Sequence, residues 1–245
     1  MNSEPGVPIS VCMAVYNGAA FLRPQIESIL VQLGARDELV VIDDASQDDS
    51  ASVLRSIGDP RLQVHRNDRN TGVLAAFERS LRLANGEIIF LSDHDDVWLP
   101  RKVDKALCVF ATDPGVTMVA TDATLIDEQG RTISNSFLSM RGGFAPGVLR
   151  NFIRNKYVGC TLSFRRTMLR HFLPIPHDVP MHDMWFGMLN KIYGQTFYID
   201  EPLTAYRRHG RNATPLSHAH FSKMTLWRYR LAKNLLLRVM TGGKA

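Results

Sequence analysis

Cysteine is scarce: Cys12, Cys108 and Cys160 are the three in 245 residues, far apart and with no Cys-x-x-Cys pair. They argue against a disulfide framework, and two of them fall in apolar runs, as small buried hydrophobes of a reducing compartment do. No apolar run approaches the roughly 20 residues needed to span a bilayer. Residues 1–8 are polar and unlike a signal peptide. These absences set the expectation of a cytoplasmic protein. There is no internal repeat and no low-complexity tract, so neither an array nor a disordered linker is expected.

What remains is 45% hydrophobic, enough for a sizeable core in one elaborated domain. The formal charge of +5 and a pI near 9.3 favour an anionic partner. Nucleic acid, a phosphosugar and an acidic membrane face all satisfy that charge.

The chain is organised around residues 88–100, where a short apolar run ends in the three carboxylates Asp93, Asp95 and Asp96. The run is too short for a helix and reads as a buried parallel strand. Its acids then stand at the strand's C-terminal end, where open α/β sheets bind ligands. Asp93 and Asp95 are one residue apart and can face the same side. Two close carboxylates repel unless a cation lies between them, and a hard ion such as Mg2+ or Mn2+ meets that need. The plain alternative is a solvated turn with Asp96 capping a helix from Pro100. Trp98 and Leu99 argue against it, because such a turn needs no apolar anchor.

Around this stretch strands and helices alternate. Residues 9–15, 38–42, 62–65 and 88 onward read as strands. Of the helices between them, the first carries Pro24 in its opening turn, the second has Asp48 as its cap, and the third ends at Asn85-Gly86. That alternation predicts a parallel, doubly wound sheet with helices on both faces. Asp43 and Asp44 then share a sheet edge with Asp93 and Asp95. A carboxylate there either accepts the ring N–H of uracil or thymine or merely caps a helix. Residues 66–72 precede a helix N-terminus, where amides suit a phosphate or ribose and Gly72 lets the backbone come close.

Beyond Lys102 the alternation fades. Residues 101–111 read as a helix, and 116–120 and 121–124 as strands of a mixed half, with Asp122 as an exposed strand-end acid. Residues 136–147 read as a mobile loop and 157–165 as a strand. Residues 181–192 form an amphipathic helix with Asp183 in its first turn, where capping is the ordinary role. The basic run 204–212 is by itself a solvated face. Residues 221–240 place Met224, Trp227, Leu231, Leu235 and Val239 on one side, with Lys223, Arg228, Arg230, Lys233 and Arg238 around it. Such a helix either docks on the core or lies in an anionic membrane surface.

Five of these strings, in this order, resemble the family-2 inverting glycosyltransferases, in particular their rhamnosyltransferase-like members. Residues 91–102, Leu-Ser-Asp-His-Asp-Asp-Val-Trp-Leu-Pro-Arg-Lys, are similar to that family's metal loop, with His94 where Gln is usual. The likeness spans about residues 9–212. It implies an α/β fold of the GT-A type: a Rossmann-like, mostly parallel central sheet with helices on both faces, plus a mixed acceptor-side half. Residues 1–215 would form that single domain, divided near 102, with residues 216–245 as a C-terminal amphipathic helix and tail.

The resemblance also implies roles. Asp93 and Asp95 would hold Mg2+ or Mn2+ on the diphosphate of a dTDP- or UDP-linked sugar. His209 would complete the metal shell and Arg208 would neutralise phosphate charge, both from a Tyr-Arg-x-His-x-x-Asn string ending at Asn212. Tyr16, Asn17, Asp43, Asp44, Asn70 and Gly72, with Asp93, would bind the nucleotide-sugar. Gly159-Cys160-Thr161 would floor the acceptor pocket. Asp183, on a His-Asp-x-Trp string, would be the base of an inverting transfer, with His182 orienting it.

The implied activity is transfer of a sugar, rhamnose first, to a hydroxyl of a cell-surface glycan or lipid-linked acceptor. Nucleic acid is not an expected partner, and peripheral contact with the inner face of the cell membrane would run through the C-terminal helix. A nucleotidyltransferase is the rival enzyme, but it wants a Gly-rich basic loop after the first strand, which Tyr16-Asn17-Gly18 is not. A non-enzymatic phosphoreceiver-like domain would be roughly half as long and leaves everything beyond Lys102 unexplained.

Overall fold

The structure is a computed structural model that describes residues 7–140, 142–143, 152, 155–210 and 221–242. Strands β1 (Ile9–Val15), β2 (Glu38–Asp43), β3 (Leu62–Arg66) and β4 (Ile88–Asp93) are parallel and lie in the order β3-β2-β1-β4. Helices α1 (Ala19–Leu30), α2 (Ser50–Arg55) and α3 (Val73–Leu83) connect them. Near-continuous apolar residues let β1, β2 and β4 be covered on both faces. Val11, Met13 and Phe90 pack with Leu22, Ile26 and Ile29 of α1, whereas Cys12, Ile89 and Leu91 join Phe77 and Leu81 of α3. The period-two alternation of a strand therefore feeds two cores.

The second half is mixed, as expected. It contains β5 (Val97–Trp98), α4 (Lys102–Thr112), β6 (Val116–Ile126), β7 (Thr132–Ser134), α5 (Phe137–Met140) and β8 (Leu162–Arg165). Then come α6 (Leu169–Phe172), α7 (His182–Tyr193), β9 (Gln195–Arg207) and α8 (Phe221–Met240). The sheet continues β4-β8-β6-β9-β5, with β8 antiparallel to both neighbours and β9 parallel to β6. Helix α8 docks on the core through Leu231 and Leu235.

Several local expectations are corrected. Helix α1 begins at Ala19, so Pro24 lies inside it. Asp48 serves two helix starts: it accepts the Ser50 N–H at 3.0 Å and the Ala19 N–H at 3.0 Å. Residues 157–165 are not one strand, because Gly159–Thr161 forms a 3-10 turn before β8. Asp122 is buried rather than exposed; its carboxylate accepts the Leu138 N–H at 3.0 Å and the Ser136 hydroxyl. Those bonds pin Ser136 and α5, while residues 141 and 144–147 of the expected mobile loop lie outside the described residues. Cys108 is exposed, unlike the buried Cys12 and Cys160. On α8, Val239 faces outward and Arg238 faces inward, donating to the carbonyls of His171, Leu173 and Pro174.

Candidate active site

The sheet register builds the site's edge. Asp43 at the end of β2 sits beside Val15, and Asp93 at the end of β4 sits beside Ala14, so the two acids flank the exit of β1. Tyr16 leaves β1 with its side chain exposed. Asn17 turns the chain at φ 52, and its Oδ1 accepts the Gln47 N–H at 2.8 Å. Gly18 has no room for a side chain, because a Cβ there would lie 2.3 Å from Cδ2 of His94. His94 thus packs the acidic loop against the turn after β1, with Nδ1 3.3 Å from the Ala14 carbonyl.

Asp43 and Asp44 are 1% and 2% exposed and are both engaged by their own loops. Asp43 accepts the Ser46 N–H at 2.9 Å and pairs with Arg66 at 3.0 Å. Asp44 accepts from the Asn67 side chain at 2.6 Å, the Thr71 N–H at 2.9 Å, the Thr71 hydroxyl at 2.8 Å and the Gly72 N–H at 2.8 Å. Burial acts to raise its pKa, but these donors outweigh it and hold the carboxyl below its ordinary value. Asp44 therefore shapes the 67–72 loop. Gly72 sits there at φ 87, which favours glycine, and Asn70 Oδ1 accepts its N–H at 3.0 Å.

The acidic loop is clamped from β9. The Arg207 N–H donates to Asp96 Oδ1 at 2.8 Å, its Nε to the Asp95 carbonyl at 2.8 Å, and its guanidinium lies over the Phe21 ring. His209 stacks on Phe21 and brings Nε2 to 2.9 Å from Asp95 Oδ2. Arg208, expected on phosphate, donates from Nη1 to the Tyr206 hydroxyl at 3.1 Å. Asn212 lies outside the described residues.

Electrostatics join Asp183 to this group. Burial first, and then Asp96, Asp95 and Asp183, push the Asp93 carboxyl well above the carboxylate range. Asp183 opens α7, where its Oδ1 accepts the Met184 N–H at 2.5 Å. His182 does not orient it. The His182 ring turns inward against Phe77, and neither nitrogen has a hydrogen-bond partner among the described residues.

A divalent ion fits these residues. Asp96 is fully buried with the Cys160 thiol beside its carboxylate, and burial followed by Asp95 pushes that carboxyl up to about 7. Crowded carboxylates that resist ionisation call for a cation, and oxygens with one imidazole are a donor set for Mg2+ or Mn2+. Ligand atoms of Asp93, Asp96 and Cys160 also lie within 4.8 Å of one another. The buried Cys160 thiol, held neutral by burial, is a poor ligand for so hard an ion.

Comparison with known proteins identifies the family. The Glycosyl transferase family 2 profile matches residues 10–173. The chain belongs to glycosyl transferase family 2. Its fold is of the GT-A type and aligns with Staphylococcus aureus TarS, residues 1–349, in complex with UDP-GlcNAc. The TM-score is 0.74 at 16% identity, over 95% of this chain and 66% of that one. A Pyrobaculum calidifontis mannosyltransferase in complex with GDP-Man and Mn2+ aligns at 0.62 and 20% identity, over 97% and 64%. An uncharacterized glycosyltransferase of Nostoc sp. is 30% identical over 221 residues, 83% of this chain and 66% of the relative. The Escherichia coli UDP-Glc:alpha-D-GlcNAc-diphosphoundecaprenol beta-1,3-glucosyltransferase WfgD is 27% identical over 186 residues, 74% and 69% respectively. The chain thus spans about two-thirds of the length of these relatives.

In this family-2 chain two residues at the site escaped the sequence reading. Arg207 shares a strand face with the buried Leu203 and Ala205, a parity that marks it as inward. Lys102 stands four and eight residues before Ala106 and Phe110 on the buried stripe of α4.

Proposed function

We propose that this family-2 protein is a metal-dependent, inverting glycosyltransferase. It moves a sugar from a dTDP- or UDP-linked donor to a hydroxyl of a cell-surface glycan or lipid-linked acceptor. The observation that carries the reading is the convergence of Asp93, Asp95, His209 and Asp183, from separate chain segments, on the edge where Asp43 and Tyr16 also lie. WfgD is named for a UDP-glucose donor and a diphosphoundecaprenol acceptor, and TarS was solved with UDP-GlcNAc, which supports a UDP-sugar. The 91–102 motif supports rhamnose.

Asp93, Asp95 and His209 would hold Mg2+ or Mn2+, which supplies positive charge to the departing diphosphate. Tyr16, Asn17 and Asp43 border the base, and Asp44 presents Asn70 and Gly72 to the ribose and phosphates. Arg208 serves the phosphates after a change of partner from Tyr206. Asp183 takes the proton from the acceptor hydroxyl as its oxygen bonds to the anomeric carbon from the face opposite the diphosphate. The bond from that carbon to the diphosphate breaks, and the nucleoside diphosphate leaves with the electron pair. Nothing in this scheme needs a covalent enzyme intermediate.

Residues 1–215 would be the catalytic unit and 216–245 an appended helix and tail. Among the described residues no helix is long and apolar enough to cross a membrane. The exposed Leu226, Tyr229, Leu236, Leu237 and Met240 of α8, with no acidic residue in the helix, support peripheral contact with the anionic inner face of the cell membrane. The test of the function is a donor screen with Mn2+ or Mg2+, following nucleoside diphosphate release and the anomeric configuration of the product. Retention of configuration removes the inverting mechanism, and release without any metal removes the ion.

A further inference from the structure

A cleft of about 620 Å³ opens between α3 and the segment that leads into α7. Thr71 and Gly72, of the loop that Asp44 shapes, line it, and its second wall runs from Ile175 to Pro180, three residues before Asp183. The two walls are joined, since Glu78 Oε2 accepts the Ile175 N–H at 2.6 Å. The second wall is held in turn by α8: the Arg238 guanidinium donates to the carbonyls of His171, Leu173 and Pro174, and Asn234 Nδ2 donates to Asp178 Oδ1 at 2.8 Å. The cleft is therefore preformed, and its volume is that of a small-molecule site.

Its lining changes along α3. Near Gly72 it is apolar, with Leu74, Ala75 and Pro180, a surface that suits the face of a sugar ring. Two turns further on it is cationic: Arg79 and Arg82 lie three residues apart on one side of the helix, and His177 lines the same cleft. Arg82 is paired with Glu78 at 2.7 Å. Arg79 donates from Nη1 to two neutral acceptors, the Arg66 carbonyl at 3.0 Å and the Asn67 side chain, so its charge meets no carboxylate among the described residues. Seven residues separate Gly72 from Arg79, about 10 Å along a helix, which leaves room for a monosaccharide between the donor loop and the arginines.

We propose that this cleft seats the acceptor, and that the acceptor is a sugar carried on a lipid diphosphate. The sugar lies along Leu74, Ala75 and Pro180 with a hydroxyl toward Asp183, and the phosphates meet Arg79 and Arg82, whose planar guanidinium groups match phosphate oxygens in pairs. The tie to α8 argues for a lipid carrier. The wall beside the phosphates is bonded to a helix with exposed leucines and no acidic residue, and Arg82 at the far end of the cleft is 55% exposed, which leaves the carrier a way out. The inference rests on Asp183 as the base of the transfer and names the acceptor that base serves.

The test is co-sedimentation of the full chain, in EDTA, with phosphatidylcholine vesicles that carry either a long-chain prenyl diphosphate or phosphatidylglycerol at the same surface charge. Wild type should prefer the diphosphate vesicles by roughly 10-fold or more, the effect of a charge-assisted hydrogen bond, and inorganic pyrophosphate should compete. R79Q/R82Q should lose that preference, whereas R23Q/R55Q, which removes the same charge from α1 and α2, should keep it. Equal binding to the two kinds of vesicle overturns the proposal. So does an equal loss in R79Q/R82Q and R23Q/R55Q, because the arginines then give only a general attraction to anionic surfaces. Arg79 also touches Asn67 of the donor loop, so UDP affinity with Mn2+ is measured on every variant. If R79Q/R82Q loses that affinity, R82Q alone decides, since Arg82 bonds to Glu78 and to no residue of the loop; a full preference in R82Q overturns the proposal. If wild type does not bind UDP with Mn2+, the donor reading fails, while the preference in EDTA still tests the cleft.

Discussion

His209 Nε2 lies 2.9 Å from Asp95 Oδ2, although 114 residues of chain separate them. The contact is fixed from both sides. Phe21 stacks on the imidazole with ring centroids 5.0 Å apart, and Arg207 holds the backbone of the acidic loop. An ion bound at Asp95 therefore meets the imidazole without rearrangement of β9. Asp95→Asn should abolish Mn2+-dependent binding of UDP or dTDP in calorimetry. His209→Gln should weaken it by about 10–100-fold, the usual effect of losing a residue that orients or completes a metal shell. Unchanged Mn2+-dependent affinity in Asp95→Asn would remove that carboxylate from the metal shell.

Asp183→Asn separates binding from chemistry. The substitution keeps the shape and the Met184 N–H contact but cannot accept a proton, so nucleotide affinity with Mn2+ should persist. Transfer should fall by about 10²–10⁴-fold, the ordinary contribution of a positioned base. Full transfer in this variant would end the base assignment.

The central edge was legible in the sequence because its signals are local. An apolar run ending in acids fixes both the strand β4 and the place of Asp93 and Asp95. What was not legible depends on segments that meet only in space. Asp122 reads as an exposed strand end until Ser136 and Leu138 fold back onto it. Asp44 looks like an open carboxylate because nothing in residues 43–46 announces that Thr71 and Gly72 will fill it. The inward place of Arg207 was readable from strand parity with Leu203 and Ala205, a signal that was present and unused. His182 was misplaced because a helix start does not say which way its first ring turns.

Asp44→Asn tests the loop-shaping role. It sets an amide N–H2 against N–H donors, so at least one hydrogen bond is lost at a buried site, costing about 1–3 kcal/mol. At this chain length that is a fall in Tm of about 2–4 °C per kcal/mol. The donor KM should rise while kcat holds. The folded pKa of Asp44 is depressed, so its contribution is present above the unfolded value of about 3.9 and is lost as pH falls through the lower folded value. Acid urea titrations of wild type should show that loss, and Asp44→Asn should not.

His182 gives a pH dependence of its own. Burial pushes its imidazole down to about 4 from the ordinary 6.5. The unfolded chain therefore binds a proton first as pH falls, so stability is full above 6.5 and is lost progressively toward 4, by about 3 kcal/mol. Asp96 works in the opposite sense, its raised pKa lowering stability as pH rises toward about 7. The difference between wild type and His182→Gln isolates the imidazole, and urea midpoints across this range should diverge as the pH drops. Parallel curves would mean that His182 stays charged in the fold.

The outer face of α8 can be tested apart from its inner face. Leu231 and Leu235 point into the core, so they report docking, whereas Leu236 and Leu237 are exposed beside Arg230 and Lys233. Exposed positions away from packing change stability little, so Leu236→Glu with Leu237→Glu should leave the Tm within about 1–2 °C of wild type. If the stripe enters a bilayer interface, each leucine contributes about 1.5–3 kcal/mol of apolar burial and each cation about 1 kcal/mol on an anionic surface. Sedimentation with phosphatidylglycerol vesicles should then fall by roughly 100-fold in the double variant. Binding by wild type should also weaken with salt and be slight on phosphatidylcholine. Equal sedimentation of wild type and variant, or none by either, would leave α8 as a docked terminal helix and move any lipid-linked acceptor to another surface.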